Sequence, residues 1–407
     1  MLIQQGFKYR LEPDAEQRAR LRVLCGHARF VWNQALAECN RLRAAGERVP
    51  RYNPMSKWLT AWKRVPETAF LTEAYTDNLQ QKLMDLDAAW QRYFGRINGA
   101  EPPRFKKKGR SRDNIRFVNF GKYCALEGRF VKLPAKLGWI KFRRSRKIQG
   151  RIKNCTVSFE SGHWWISFLA ERTVKDPVSP EAPSVGIDAG IARFATLSDG
   201  SHVEPRNSLT RTLSRLAKRQ RALSRKRKGS NNWKKAKAKV TRLHTHIANC
   251  RRDFLHKTST HISKNHAMVA IEDLEVRNMS ASARGDAEHP GRNVRAKAGL
   301  NRSILDQGWY EFRRQLEYKL RWRGGQLVVV PPHYTSQTCP ECGHVDAGNR
   351  PSQAVFCCLN CGHEGHADEI GAMNILARGM EKWRAEGQDT AGAPAGCLMA
   401  QPGSPVK

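Results

Sequence analysis

The sequence predicts a multidomain α/β protein, on three observations. Hydrophobic residues recur at three- and four-residue steps up to about residue 98 and alternate in short runs after it. Beyond a proline-punctuated stretch at 176–183, apolar runs of strand length are followed by amphipathic helical segments. Two Cys-x-x-Cys pairs then mark a small module closed by a metal ion. At ~100 to 200 residues per domain, the 407 residues allow two to four folding units.

Taken in order, Phe7, Lys8, Tyr9, Arg10 and Leu11 alternate as a strand does, and Pro13-Asp14 opens a long helical region. Leu21, Leu24, Phe30, Val31 and Leu36, and later Leu79, Leu83, Leu86, Trp90 and Phe94, keep helical steps, so residues 12–98 read as a helical insertion. From Pro102 the period becomes two, in Arg116 to Phe120, Arg129 to Leu133 and Thr156 to Phe159, with glycine-containing turns between. Several short strands in so short a span predict a small β-barrel of the oligonucleotide-binding type, built from residues 1–11 and 99–178. Basic residues interleaved with Phe and Trp there offer charge and stacking surface; the plain alternative is a half-buried sheet with a basic outer face.

Val185 to Asp188 and Ile191 to Leu197 read as a hairpin whose Asp188-Ala189-Gly190 corner exposes a carboxylate, although Asp is also an ordinary turn former. From Arg211 to Lys257 there are seventeen Lys or Arg and one acid, Asp253. Leu209, Leu213, Leu216 and Leu223 precede Gly229-Ser230-Asn231-Asn232, and Trp233, Ala236, Val240, Leu243, Ile247, Cys250 and Phe254 follow, which predicts two antiparallel helices sharing one seam within 207–260. A solvated helix surface normally mixes charge signs, so this one-sided face predicts contact with a sugar-phosphate backbone.

Ala267 to Ile271 reads as a central strand that delivers Glu272, with Asp273 pointing to the opposite side. Trp309, Phe312, Leu316 and Leu320 mark a helix ending at Gly324-Gly325, before the strand Leu327 to Val330. Cys339 and Cys342 are separated from Cys358 and Cys361 by fifteen residues, the spacing of two knuckles closing one structural Zn²⁺ site; Cys357 is surplus. Asp368 opens a helix with Ala372, Ile375 and Leu376 on one stripe, where an acid is explained by the helix dipole alone. After it, residues 387–407 are expected to be a disordered tail.

A formal charge of +35, from 72 Lys and Arg against 37 Asp and Glu, calls for an anionic partner, of which nucleic acid is the usual one. No apolar run approaches the ~20 residues that span a bilayer, and Met1 to Gly6 lacks the pattern of a signal peptide, so a cytoplasmic protein with no membrane partner is expected. The eleven cysteines agree with a reducing compartment, since four form metal-ligand pairs and Cys25, Cys39, Cys124, Cys155, Cys250 and Cys397 are scattered. Acids near a face that binds polyanions are useful only if they recruit divalent metal. Asp188, Glu272 and Asp368 therefore point to phosphodiester chemistry.

Several stretches carry a family resemblance: Ala28 to Asn33, Pro103 to Lys107, Val185 to Gly190, Ile271 to Leu274 with Asn278-Met279, Gly308-Trp309, Thr335 to Cys339, and His366-Ala367-Asp368 with Ala372, Asn374 and Ile375. In this order the chain resembles the TnpB proteins of bacterial insertion sequences, compact RNA-guided nucleases related to type V CRISPR effectors. The resemblance implies a RuvC-like, ribonuclease H-type nuclease core at 183–334 and 366–386 with a zinc-ribbon insertion at 335–365. It also implies a helical recognition lobe at 12–98 on a wedge-like β-barrel. Asp188, Glu272 and Asp368 would hold two catalytic Mg²⁺ ions, with Asp188 bridging, and Cys339, Cys342, Cys358 and Cys361 one Zn²⁺.

The implied partners are a transposon-derived guide RNA and double-stranded target DNA beside a short flanking motif, and one protein per RNA is expected. The chain departs from the pattern at Ile370-Gly371-Ala372, where relatives commonly carry Asn-Ala-Ala. Two other readings belong to the same pattern. A regulator that occupies DNA without cutting would have lost an acid, and none is lost; a strand transferase would need a tyrosine nucleophile motif, and none is obvious.

Overall fold

The computed structural model describes residues 1–173, 183–286 and 288–391. Of the expected linker only Pro183 falls within them, and of the expected tail only residues 387–391. The chain divides into two compact units, Met1–Val174 and Lys175–Lys407. No helix among the described residues is long and apolar enough to cross a membrane.

The first unit begins with strand β1 (Leu2–Glu12), continues through helices α1 (Ala15–Ala44), α2 (Tyr52–Trp62) and α3 (Thr76–Phe94), and ends in six strands. These are β2 (Asp113–Phe117), β3 (Ala125–Glu127), β4 (Phe130–Leu133), β5 (Gly138–Phe142), β6 (Arg151–Glu160) and β7 (His163–Thr173). Asp14 caps α1: its side chain accepts from the Gln17 amide at 2.8 Å, and the Gln17 side chain accepts from the Asp14 amide at 3.1 Å. The strands form one antiparallel sheet in the order β2-β6-β7-β1-β5-β4-β3. The first strand is therefore central, lying between β7 and β5. Its alternation is used as expected: Phe7, Tyr9 and Leu11 are buried with the inner faces of the helices. Among the described residues no ladder joins the outer strands β2 and β3.

The second unit is built on a five-stranded sheet of β8 (Ser184–Asp188), β9 (Ala195–Leu197), β10 (His202–Val203), β11 (Met268–Glu272) and β12 (Gln326–Val330), ordered β10-β9-β8-β11-β12. The first three strands run antiparallel, whereas β8, β11 and β12 are parallel. Helices α4 (Leu213–Ser224) and α5 (Asn231–Asn265) connect β10 to β11. Helices α6 (Val276–Met279), α7 (Val294–Gln307) and α8 (Trp309–Arg321) connect β11 to β12. A short hairpin of β13 (Val355–Cys357) and β14 (Glu364–His366) follows, and α9 (Ala367–Ala391) closes the unit.

Successive strand residues face opposite layers, which is why the parallel strands are apolar throughout. Val185, Ile187, Val269 and Ile271 pack with Leu255 and Ile262 of α5 and with Trp309, Phe312, Leu316 and Leu320 of α8. Met268, Ala270, Val328 and Val330 pack on the other side with Ile375 of α9. At the far end of α5, Val240, Leu243 and Ile247 meet Leu216 of α4 in the predicted seam, and Ser230 caps α5 by accepting from the Trp233 amide.

Helix α9 continues through residues 387–391, and it lies along β8 and β11. That contact is close. A Cβ added at Gly186 would lie 2.1 Å from the Ala372 carbonyl oxygen, and one at Gly379 would lie 2.4 Å from the Ala270 Cβ. Gly186→Ala is therefore expected to force α9 off β8 and destabilise the protein by about 1–3 kcal/mol or more. Urea denaturation would show this as a lower midpoint at unchanged m-value.

Candidate metal centres

The two cysteine pairs form matched knuckles. In the first, the Cys339 amide donates to the His344 carbonyl at 2.9 Å and the Gly343 amide to the Cys339 carbonyl at 3.0 Å. In the second, Cys358 and His363, and Gly362 and Cys358, repeat both bonds at 2.9 Å. Gly343 and Gly362 take φ of +73° and +72°, the left-handed region that each turn requires. The sulfurs of Cys339 and Cys361 lie 3.6 Å apart, as do those of Cys342 and Cys358, and all four fall within 4.8 Å of one another. Thiolates bound at ~2.3 Å around a tetrahedral ion sit about 3.8 Å apart, so the quartet fits Zn²⁺ and leaves it no open position. Cys357 stands outside the quartet, 3.8 Å from Glu364 Oε1.

The three acids come from three elements of one unit. Asp188 ends β8 and Glu272 ends β11; these are neighbouring parallel strands with Ile187 paired to Ile271, so both carboxylates emerge at the same sheet edge. Asp368 is in the first turn of α9, the helix lying on those strands. All three are half-buried. Asp188 is pushed up to about 7, first by burial and then by the charges of Glu272 and Asp368, with Arg350 acting the other way. Glu272 is also raised by burial, against the opposing pull of the Thr335 hydroxyl, Arg378 and Arg350.

Among the described residues, the cysteines alone bring three or more His, Cys, Asp or Glu ligand atoms within 4.8 Å of one another, so the acids are electrostatic neighbours at wider spacing. A set of oxygen donors repelling one another in partly dry surroundings suits a hard divalent cation such as Mg²⁺, whose charge would offset that repulsion. Asp273, which the strand pattern turned away, pairs instead with Arg313 on α8.

Two further residues at this edge had no role assigned from the sequence, although Thr335 lies in one of the stretches that carry the resemblance. Thr335 donates to Glu272 Oε1 at 2.6 Å, and Arg350 reaches within 3.6 Å of Asp368 Oδ1. The departure at 370–372 also has a structural sense. Ile370 is buried among Cys339, Phe356, Cys358 and Ala367, and a Cβ at Gly371 would come within 3.3 Å of Asp188 Oδ2. One residue thus packs the cysteine module, and the next, lacking a side chain, leaves the Asp188 carboxylate room.

Three family models match the chain: "Probable transposase" over residues 167–283, the Cas12f1-like TNB domain over 309–375 and a helix-turn-helix domain over 1–48. The last span is here a strand followed by one long helix. InsQ of Escherichia coli K12, to which RNA-guided DNA endonuclease activity is ascribed, is 52% identical over 375 residues, 92% of each chain. A Streptomyces pristinaespiralis protein with the same ascription is 35% identical over 93% of this chain and 90% of its own. Among solved structures, Cas12f1 in complex with sgRNA and target DNA matches 92% of this chain and 99% of its own, at a TM-score of 0.53 and 15% identity, a likeness of fold.

The raised Asp188 value implies a pH signature in the protein without added divalent cation. Its value of about 7 when folded lies above the 3.8 of an unperturbed carboxyl, so the folded state binds the extra proton between the two, and stability falls as pH rises across that interval. Asp188→Asn is expected to flatten this fall. Melting temperatures from pH 4 to 8 would show it, and Mg²⁺ added at pH 8 should raise the wild-type value more than that of the variant.

Proposed function

The chain belongs to the TnpB family, the OrfB proteins of IS605-type insertion sequences, and from that membership we propose that it is an RNA-guided DNA endonuclease. The observation that carries this reading is the meeting of Asp188, Glu272 and Asp368 at one edge of the second unit's sheet. Support for a RuvC-like, ribonuclease H-type core at 183–334 and 366–386 comes from the strand order, three antiparallel strands extended by two parallel ones. The cysteine module at 335–365 is the zinc ribbon inserted in it, and the first unit supplies a wedge-like domain from its seven-stranded sheet and the recognition helices (12–98).

Asp188, Glu272 and Asp368 would hold two Mg²⁺ ions. Bound there, such ions would lower the pKa of water toward neutrality and offset charge developing on the leaving oxygen. The chain's own contribution is to gather three carboxylates that repel one another and keep Arg350 beside them to lessen the repulsion. The basic hairpin of α4 and α5 lies along a nucleic-acid backbone, each neutralised phosphate releasing a counterion. Base pairing with a transposon-derived guide supplies sequence choice in double-stranded DNA, and the protein reads backbone shape and a short flanking motif.

Purified protein and its RNA, incubated with a plasmid of randomised flanks, should cut only when Mg²⁺ is present. Asp188→Ala should abolish cutting yet retain RNA and DNA in gel shifts; undiminished cutting by that variant would overturn the assignment. Replacing Lys226 and Lys228 by Gln should leave the acids untouched but flatten the dependence of log Kd on log salt, by about 0.7–0.9 for each phosphate left without its lysine.

A further inference from the structure

Thr335 stands between the two candidate metal centres. It lies in the turn between β12 and the first knuckle, is 4% exposed, and directs its hydroxyl at Glu272 Oε1, 2.6 Å away. The Pro332 carbonyl is a second acceptor at 3.1 Å. One hydroxyl carries one proton, and the shorter contact to a carboxylate is the stronger claim on it. The Thr335 backbone is held in turn. Its carbonyl accepts from Asn374 Nδ2 at 2.8 Å, and the same amide donates to the Thr338 carbonyl at 2.7 Å, at the residue preceding the first zinc ligand. Asn374, 6% exposed, sits on α9 beyond Asp368.

A second path reaches the same helix. Cys339 and Cys358 share a buried cluster with Phe356, Ala367 and Ile370, and the Ala367 amide donates to the Ala354 carbonyl at 2.9 Å, immediately before Asp368. The cysteine module is thus tied to Glu272 through Thr335 and to Asp368 through the start of α9.

We propose that Thr335 is a positioning residue that couples the cysteine quartet to Glu272, occupying Oε1 so that Oε2 is the oxygen presented to a divalent cation. This rests on the reading of Glu272 as a cation ligand. A carboxylate can rotate and offer either oxygen or both; a short hydrogen bond from a buried threonine, its own carbonyl held by Asn374, restrains that rotation. Zinc closes the knuckle that carries the Thr338 carbonyl, so losing the zinc would release the same restraint from the other end. Hydrogen-bond partners of metal ligands typically contribute about 10- to 100-fold in metal affinity or activity.

The test uses the full-length chain titrated with Mn²⁺, followed by electron paramagnetic resonance, with zinc content and melting temperature measured in parallel and cleavage measured on the ribonucleoprotein. Thr335→Val is expected to weaken Mn²⁺ binding about tenfold or more and to lower kcat at unchanged KM. One zinc per chain and the wild-type melting temperature should be retained, and Thr335→Ser should restore both binding and rate. In the zinc-free variant Cys342→Ser, Mn²⁺ binding should weaken similarly, with little further loss on adding Thr335→Val. Wild-type Mn²⁺ affinity in Cys342→Ser, or in folded Thr335→Val, overturns the coupling provided that Glu272→Ala has lost affinity. Wild-type affinity in Glu272→Ala instead overturns the reading of Glu272 on which the coupling rests.

Discussion

The second unit depends on how closely one helix can approach two strands. α9 lies with its backbone against that of β8 and against the Ala270 side chain of β11, and the approach exists because Gly186 and Gly379 have no side chain to keep them apart. Asp368 is carried on the first turn of that helix, while Asp188 and Glu272 are carried on the strand ends beneath it. A side chain at either glycine would move one carboxylate relative to the other two. Backbone packing, rather than any contact among the acids, sets their spacing.

The arrangement gathers groups that repel one another. Burial and mutual charge raise Asp188, and Arg350 from the cysteine module only partly offsets them. Such a cluster is destabilising by itself, and natural proteins keep strain of this kind where it serves a site. The rest of the unit supplies the compensation: a sheet apolar on both faces, α5 and α8 on one side and α9 on the other.

The strands bearing Asp188 and Glu272 were legible because parallel strands buried on both faces are unbroken apolar runs, Val185 to Ile187 and Met268 to Ile271. The helical hairpin was legible from its seam, which Leu216, Val240, Leu243 and Ile247 form. Asp368 was not legible from local pattern, since an acid in a first helical turn has an ordinary electrostatic explanation; it stood out only as the third carboxylate of a set with Asp188 and Glu272. The bond from Thr335 to Glu272 spans 63 positions, and no periodicity connects residues so far apart.

α5 runs for 35 residues without a glycine or proline, about 52 Å at 1.5 Å per residue. Its first half is clamped in the seam with α4 and its second half is embedded beneath the sheet. It is a stiff outrigger with no hinge along its length, so whatever is bound at its tip would sit at a set reach from the carboxylates. Removing whole turns would shorten that reach in increments of about 5.4 Å, recalibrating a measuring rod without touching the acids.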